Sequence, residues 1–174
     1  MKRTIKYLLS SILLSFIFFG CAARRPFAVT EPDRGLDKEK QQRIEKILDS
    51  VSQKASRLSL ENLGRSTMKE SVDIIDMGTL AASHLIRKLK KARSWKMRYW
   101  LVDMLGYIQS RDGLWPLLEI IEDPTEKEEV RLRACEALKE LNYSEIADNL
   151  RISAELVKDI KIKEKIIETI NSIR

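Results

Sequence analysis

The chain is 174 residues long, and its 32 basic and 26 acidic residues give a formal net charge of +6. Three of the basic residues lie among the first six, and without them 29 basic residues face 26 acidic ones, a net charge of +3 that is low for a nucleic-acid-binding protein. The single histidine excludes an H-E-x-x-H site or any other histidine-rich metal site.

Residues 1–20 have the layout of a bacterial secretory signal peptide. Lys2, Arg3 and Lys6 form a positive start, and an apolar run of 13 residues, interrupted only by serines, follows from Tyr7 to Phe19. Thirteen residues are too few to cross the hydrocarbon core of a bilayer, which takes about 20. The segment therefore predicts export rather than a membrane span.

The end of this leader, Phe18-Phe19-Gly20-Cys21, resembles the lipobox of bacterial lipoproteins, with Phe18 standing where the family usually has Leu. The resemblance implies cleavage before Cys21 and modification of that cysteine with diacylglycerol and palmitate. Several lipid chains anchor a protein stably, because each buried methylene contributes about 0.8 kcal/mol. The following Ala22, rather than Asp, resembles an outer-membrane address. The alternative is that Cys21 is an ordinary thiol beside a signal peptide or an uncleaved anchor.

Residues 21–36 predict a flexible tether, because they contain Pro26, Pro32 and Gly35 and show no hydrophobic periodicity. An amphipathic helix is predicted over residues 37–58, since apolar residues recur there at helical spacing. These residues are Ile44, Ile47, Leu48, Val51, Ala55 and Leu58. The helix has no counterpart in the repeats that follow, so we expect it to cap the N-terminal end of the domain.

A helix pair is predicted between Ser94 and Asp123. Apolar residues share one face of each helix, and the turn residues 110–113 separate the two. The first stripe is Leu101, Val102, Leu105 and Ile108, and the second is Leu114, Leu117, Leu118 and Ile121. A shift of 33 residues places the first helix on residues 130–141, and a backward shift of 32 places the second stripe on residues 82–89. About three repeats are predicted in this way: 67–91, 95–122 and 126–152.

The central pair resembles a HEAT repeat. Arg98, Leu105, Gly106 and Ile108 form the pattern R-x-x-x-x-x-x-L-G-x-I, and Trp-Pro-Leu-Leu follows at residues 115–118. The most similar variety is the short repeat that also occurs in phycobilisome-lyase-like proteins. The resemblance implies an all-α fold: a short right-handed α-solenoid of about three helix pairs, with N- and C-terminal capping helices over residues 37–174. It also implies protein binding rather than a reaction.

The C-terminal residues 154–173 predict one helix, or two short ones, closing the solenoid. Their apolar residues are Leu156, Ile160, Ile166, Ile167, Ile170 and Ile173. Two capping boxes, Thr67-x-x-Glu70 and Thr125-x-x-Glu128, predict where two of the helices begin.

Neither His84 nor Cys135 predicts a catalytic site or a metal site. Nothing in the sequence nominates a nucleophile or an orienting group for His84, which we expect at the surface or half-buried on a helix. Cys135 falls on Val102 after the 33-residue shift and is expected to be a small buried hydrophobe. No cofactor is predicted, and the chain is expected not to be an enzyme.

Residues 87–100 are the candidate binding patch, because they hold seven basic residues, three aromatic residues and no acid. The candidate residues are Arg87, Lys90, Lys91, Lys96 and Trp100. Cations and aromatic rings together suit anionic lipid or polysaccharide. Trp100 aligns with Arg133, so we expect it to face outward and to anchor an interface. The alternative is that the acidic turn 119–129 stacks beside this basic turn and neutralises it.

These patterns favour a lipid-anchored, non-enzymatic interaction module of the bacterial cell envelope, in the outer membrane and facing the periplasm. Its expected partner is another envelope protein or a second copy of itself. The alternative is a binder of anionic envelope lipid or polysaccharide through residues 87–98. The export signal argues against nucleic acid as a partner, and no small-molecule substrate is predicted. A fold by itself does not define a function.

Overall fold

The computed structural model describes residues 37–63 and 68–173, and throughout these ranges the chain folds into helices joined by short turns, with no strand. The helices are α1 (Lys38–Ala55), α2 (Leu60–Leu63), α3 (Lys69–Met77), α4 (Ala82–Lys91), α5 (Trp95–Tyr107), α6 (Leu114–Glu122), α7 (Glu128–Leu141), α8 (Ala147–Leu156) and α9 (Ile160–Ser172). The all-α prediction is confirmed. The signal peptide, Cys21, the tether and Thr67 lie outside the described residues.

The helices from α3 onward form a repeating two-layer stack. The pairs are α3–α4, α5–α6 and α7–α8, and α9 follows as the first helix of a fourth unit. First helices pack on first helices (α3 on α5, α5 on α7, α7 on α9), and each second helix packs against the first helix of the next pair. The amphipathic α1 packs against α3, α4 and α5 and closes the N-terminal end. This arrangement is the predicted α-solenoid.

The three pairs make similar turns, although the ψ angle of Gly78 (−141°) differs from that of Asn142 (38°). The first helix ends at a residue with positive φ, namely Gly78 (57°), Gln109 (51°) or Asn142 (51°). A short 3-10 turn then leads into the second helix, at Gly78–Ala81, Arg111–Gly113 and Ser144–Ile146. Gln109 and Asn142 are 33 residues apart, so the sequence repeat is also a repeat of backbone geometry.

Three predicted helix ends differ from the structure. α1 ends at Ala55 and not at Leu58, because the Arg57 N–H donates to the Lys54 carbonyl oxygen at 2.9 Å in a turn tighter than an α-helix. α7 begins at Glu128, and Thr125 does not cap it, because its hydroxyl donates to Asp123 Oδ1 at 2.7 Å. The predicted C-terminal segment 154–173 is divided, since residues 154–156 complete α8. The division is local in origin: the Asp159 carboxylate accepts from the backbone N–H groups of Lys161 and Ile162 and so starts α9.

The close approach of α5 and α7 depends on Gly106. A Cβ at this position would lie 3.0 Å from Cα and Cβ of Ala137 and 2.5 Å from Glu140 Oε2. We expect Gly106→Ala to lower the free energy of unfolding by about 1–3 kcal/mol, although alanine has the higher helix propensity, because the two helices would have to move apart. Urea unfolding measures this change.

Gly113→Ala is the matched control for this substitution. A Cβ at Gly113 would meet its nearest neighbours at 3.7–3.8 Å, which is ordinary van der Waals contact. We expect a change within about 0.5 kcal/mol there. Equal losses at the two glycines would contradict the packing argument.

Glu70 ties α3 to α1. Its carboxylate pairs with Lys54 and accepts a hydrogen bond from Ser50 Oγ at 2.8 Å. The hydrogen bond from Lys54 lowers the pKa of Glu70 to about 2, against the opposing effect of burial. Because the folded pKa is below the unfolded value of 4.5, this contribution to stability is present above about pH 4.5 and is lost as the pH falls toward 2.

Glu70→Gln should therefore flatten the dependence of the melting temperature on pH between about 4.5 and 2. Thermal unfolding followed by circular dichroism across this range measures the effect. Glu61→Gln, at an exposed acid of α2, is the control for removing one carboxyl group. Parallel curves for the wild type and Glu70→Gln would refute the assignment.

Candidate binding surface

The basic stretch 87–98 joins the end of α4 to the start of α5, and contacts within the domain hold several of its cations. Arg87 Nη2 donates to Glu45 Oε1 at 3.1 Å, which ties α4 to α1. Lys88 Nζ donates to Asp49 Oδ1, also on α1, at 3.0 Å. These acids lie about forty residues earlier in the chain, so no local pattern places them beside the stretch.

Lys96 and Arg98 are held by carbonyl groups at helix ends. Lys96 Nζ donates to the carbonyl oxygen of Leu58 at 2.6 Å, just beyond α1. Arg98 Nη1 donates to the carbonyl oxygen of Leu89, in the last turn of α4, at 2.7 Å. A cation is favourable there because the free carbonyls make the C-terminal end of a helix negative.

Arg131 occupies the position 33 residues after Arg98 and has the same role in the next repeat. Its Nε and Nη2 donate to the carbonyl oxygen of Ile121, near the end of α6, at 2.9 and 2.8 Å. Arg98 also pairs with Glu126, a residue of the acidic turn. The acidic turn thus neutralises one cation of the basic patch, as the alternative interpretation expected.

The other candidate lysines lie at the end of α4. Lys90 and Lys91 are exposed. Lys90 lines a shallow pocket of about 150 Å³ between α4 and α6, together with Glu119 and Asp123. Acids therefore stand close to this part of the patch too.

The prediction that Trp100 faces outward is wrong. Its side chain is fully buried, and its indole Nε1 donates to Ser71 Oγ of α3 at 2.9 Å. The aligned Arg133 is buried as well and pairs with Asp103 of α5. The position that Trp100 and Arg133 share thus faces the first helix of the preceding repeat. The sequence shift shows that the two residues are equivalent, but not whether a helix or solvent lies beside them.

The two residues considered for chemistry lie in the interior. His84 is buried, which corrects the expectation of a surface or half-buried position, and its Nε2 lies 4.0 Å from Glu45 Oε1 of α1. The expectation for Cys135 is confirmed: it is fully buried, and burial raises the pKa of its thiol to about 12. In the described ranges no three His, Cys, Asp or Glu side chains are grouped to hold a metal ion.

Large apolar side chains are exposed on two of the second helices. Trp115 on α6 is 38% exposed, and Ile152 and Leu156 on α8 are each more than half exposed. Trp115 was not among the predicted site residues, although a signal for it exists. It lies outside the apolar stripe 114, 117, 118 and 121, so the periodicity that predicts the core also places Trp115 off the core face.

The repeat register brings these side chains to one side of the second-helix layer. Leu117 of α6 and Leu150 of α8 are 33 residues apart, and both are fully buried. Trp115 lies two residues before Leu117, and Ile152 lies two residues after Leu150. Each therefore lies on roughly the opposite face of its helix from the buried leucine. α6 packs on α8, and Ser153 Oγ donates to Glu122 Oε1 between them at 2.7 Å. Exposed acids share this side: Glu119, Asp148 and Glu155.

We call this set the second-helix surface: Trp115, Glu119, Asp148, Ile152, Glu155 and Leu156. It combines large apolar side chains with carboxylates, and no helix of the described domain covers it. Such a surface can bind another macromolecule, but it offers no nucleophile and no catalytic base held by an orienting group.

Stacked helix pairs, each joined through a short 3-10 turn, and a repeated arginine define this chain as a helical-repeat protein. Residues 82–170 match the family of HEAT repeats, so the chain belongs to the HEAT-repeat family and the predicted resemblance to HEAT repeats is confirmed. Comparison with curated proteins and with solved structures gives no match. In residues 37–63 and 68–173, no helix has both the length and the apolar character needed to cross a membrane.

Proposed function

We propose that this chain is a lipid-anchored, non-enzymatic interaction module of the bacterial cell envelope, and that its second-helix surface binds another envelope protein. HEAT repeats in general serve protein–protein interaction. The observation that carries the proposal is the exposure of Trp115, Ile152 and Leu156 on one side of a single helix layer. Large exposed side chains of this kind, tryptophan above all, anchor protein interfaces.

The chemistry of the surface indicates the kind of partner. Glu119, Asp148 and Glu155 place carboxylates around the apolar side chains. Asp148 already pairs with Arg151 of α8. A partner segment with apolar residues flanked by lysine or arginine would bury Trp115 and pair with Glu119 and Glu155. Because charges at the rim of an interface mainly affect the association rate, we expect binding to be faster at low salt.

The envelope location is supported by the sequence of the leader. Its positive start, its apolar run of 13 residues and Gly20-Cys21 favour export followed by lipidation at Cys21. The tether of residues 21–36 would separate the helical domain from the membrane by up to about 50 Å if fully extended. Anchoring would leave the second-helix surface accessible to a partner on the same side of the membrane.

The anchor is tested by the intact mass of the protein from the membrane fraction. The wild type should have the mass of a chain that begins at an acylated Cys21, and Cys21→Ser should lack the lipid and leave the membrane fraction. A soluble, unprocessed wild-type chain would contradict the lipoprotein proposal.

The binding surface is tested by photo-crosslinking in intact cells. A photoreactive residue at Ile152 should form an adduct with one envelope protein, and adding Trp115→Asp should abolish it. The same residue at Lys127, which is exposed in the turn before α7, is the matched control and should form no such adduct. An adduct at both positions, or one that survives Trp115→Asp, would contradict the proposal.

The alternative function, binding of anionic lipid or polysaccharide through residues 87–98, has less support. At least four of the seven cations contact acids or carbonyl groups of the domain: Arg87, Lys88, Lys96 and Arg98. Sedimentation with phosphatidylglycerol vesicles at low salt tests it. Binding that is lost on reversing the charges of Lys90, Lys91 and Lys96 would favour the alternative over the second-helix surface.

A further inference from the structure

The helix α9 has the position of a first helix, and no helix packs on its far side in the residues that the structure describes. A shift of 32 residues places Ile162 on Val130 of α7 and Ile166 on Ala134, and all four are fully buried. In the same register Ile167 falls on Cys135, and Cys135 falls on Val102 of α5 after 33 residues. The three first helices therefore present equivalent faces.

The face that carries Val102 in α5 and Cys135 in α7 is exposed in α9. Val102 and Cys135 are fully buried because the next first helix covers each of them, and Thr169 Oγ1 of α9 donates to the carbonyl oxygen of Cys135 at 3.3 Å. Ile167 is 46% exposed, and Ile160 on the same face is 72% exposed. The outward face of α9 thus carries two exposed isoleucines, and no other helix in residues 37–63 and 68–173 covers it.

The N-terminal end does not share this property. No large apolar side chain of α1 is exposed, so the outer face of α1 has the polar character of a cap. A second copy stacking its α1 on α9 would therefore leave Ile160 and Ile167 without apolar contacts. Repeated head-to-tail contacts would also build an open filament rather than a closed assembly.

The ion pairs between first helices also continue up to α9. Arg133 of α7 pairs with Asp103 of α5, and Lys165 of α9 pairs with Glu136 of α7. On the uncovered side of α9, Ile160, Glu164 and Ile167 follow one another at helical spacing, with Lys163 beside them. Lys163 and Glu164 are both exposed, so the face carries one charge of each sign between its two isoleucines.

We propose that two copies of this chain associate through α9, antiparallel, about a twofold axis between Lys163 and Glu164. This axis places Ile160 opposite Ile167 of the second copy and Lys163 opposite Glu164 of the second copy. The face is self-complementary in charge and in the positions of its isoleucines, as a twofold interface requires. α9 is only 13 residues long, and its contact is small beside the roughly 1,600 Å² of a standard interface, so the dimer is reversible.

Disulfide trapping of the full-length chain in its membrane tests the geometry. Ile160→Cys combined with Ile167→Cys should form a covalent dimer under mild oxidation. The buried Cys135, with its thiol pKa near 12, should not interfere. Val72→Cys with Leu80→Cys, two exposed apolar positions near the other end of the domain, is the control and should stay monomeric. Equal trapping of both pairs would overturn the proposal.

Charge reversal tests the register. The dimer dissociation constant, measured by sedimentation of the full-length protein in detergent, should rise at least about tenfold in Lys163→Glu, because two Lys163–Glu164 pairs become repulsive. Combining Lys163→Glu with Glu164→Lys should restore the wild-type value. Both positions are exposed, so the fold should be unaffected. A chain that is monomeric throughout, or a double variant as weak as the single one, would overturn the proposal.

This inference does not rest on the second-helix surface, and the two fail independently. Trp115→Asp should leave the dimer unchanged. Ile160→Glu should abolish the dimer and leave the crosslink at position 152 in place. Loss of both signals in either variant would mean that the two surfaces are one site, which would contradict the twofold arrangement.

Discussion

Replacing Arg133 with leucine should lower the free energy of unfolding by about 3–5 kcal/mol. Arg133 and Asp103 are both buried and pair across the α5–α7 contact, and Arg133 Nη2 also donates to Glu140 at 3.0 Å. The guanidinium lies 5.3 Å from the centroid of the Tyr107 ring. Without Arg133, the Asp103 carboxylate would remain buried without its cation.

The pKa of Arg133 shows the same balance of forces. Burial alone would lower it, but the Asp103 and Glu140 carboxylates outweigh burial and raise the pKa above its ordinary value. The cation therefore stays charged at any pH at which the domain is folded. The cost of Arg133→Leu should accordingly come from the loss of the buried cation beside Asp103 and not from a titration of the arginine.

Urea unfolding of a small set of variants measures this prediction. Arg111→Leu is the matched control, because Arg111 pairs with Glu145 at the surface and should contribute no more than about 1 kcal/mol. Arg133→Met combined with Asp103→Leu removes both buried charges and should recover much of the loss. If Arg133→Leu costs no more than Arg111→Leu, the buried pair is not what holds α5 to α7.

Trp100→Ala should also cost about 3–5 kcal/mol, because it empties a large volume between α3 and α5. Trp100 is fully buried, and its indole N–H donates to the hydroxyl group of Ser71, which is buried too. Trp100→Phe keeps most of the volume but leaves that hydroxyl group without its donor, so we expect an intermediate loss of about 1–3 kcal/mol.

Trp115→Ala is the comparison for Trp100→Ala. Because Trp115 is partly exposed, its replacement should lower the free energy of unfolding much less. The two tryptophans should also separate stability from binding. Trp100→Phe should leave the photo-crosslink at position 152 unchanged, whereas Trp115→Asp should remove it while the domain remains folded. Similar losses of stability at both tryptophans would contradict the assignment of Trp100 to the core.

Much of the fold follows from patterns that are local in the sequence. Helical spacing of apolar residues marks the buried face of each helix, because a residue's direction around a helix depends only on its position along it. The 33-residue shift then aligns helices whose surroundings are the same, so the burial of Cys135 follows from that of Val102. The equivalent roles of Arg98 and Arg131 at helix ends have the same origin.

Contacts between residues distant in the sequence decide which candidate site residues are paired or buried. Glu45 and Asp49 of α1 engage Arg87 and Lys88, which lie about forty residues later, and α1 has no counterpart in the repeat from which its contacts could be read. The burial of Trp100 depends on which helix precedes α5 in the layer. Helical spacing specifies the direction of a side chain, but not whether protein or solvent lies there.

The sequence by itself determined the class of this protein: an all-α HEAT-repeat domain, preceded by a segment whose lipobox pattern remains a prediction of membrane anchoring at Cys21. The tertiary structure alone decided which tryptophan is exposed and which first helix of the described domain has an uncovered apolar face. Ile167 and Cys135 occupy equivalent positions, yet only Ile167 is exposed, because a further helix follows α7 and none follows α9 in the described residues. Exposure depends on a side chain's neighbours as well as on its own position in the repeat.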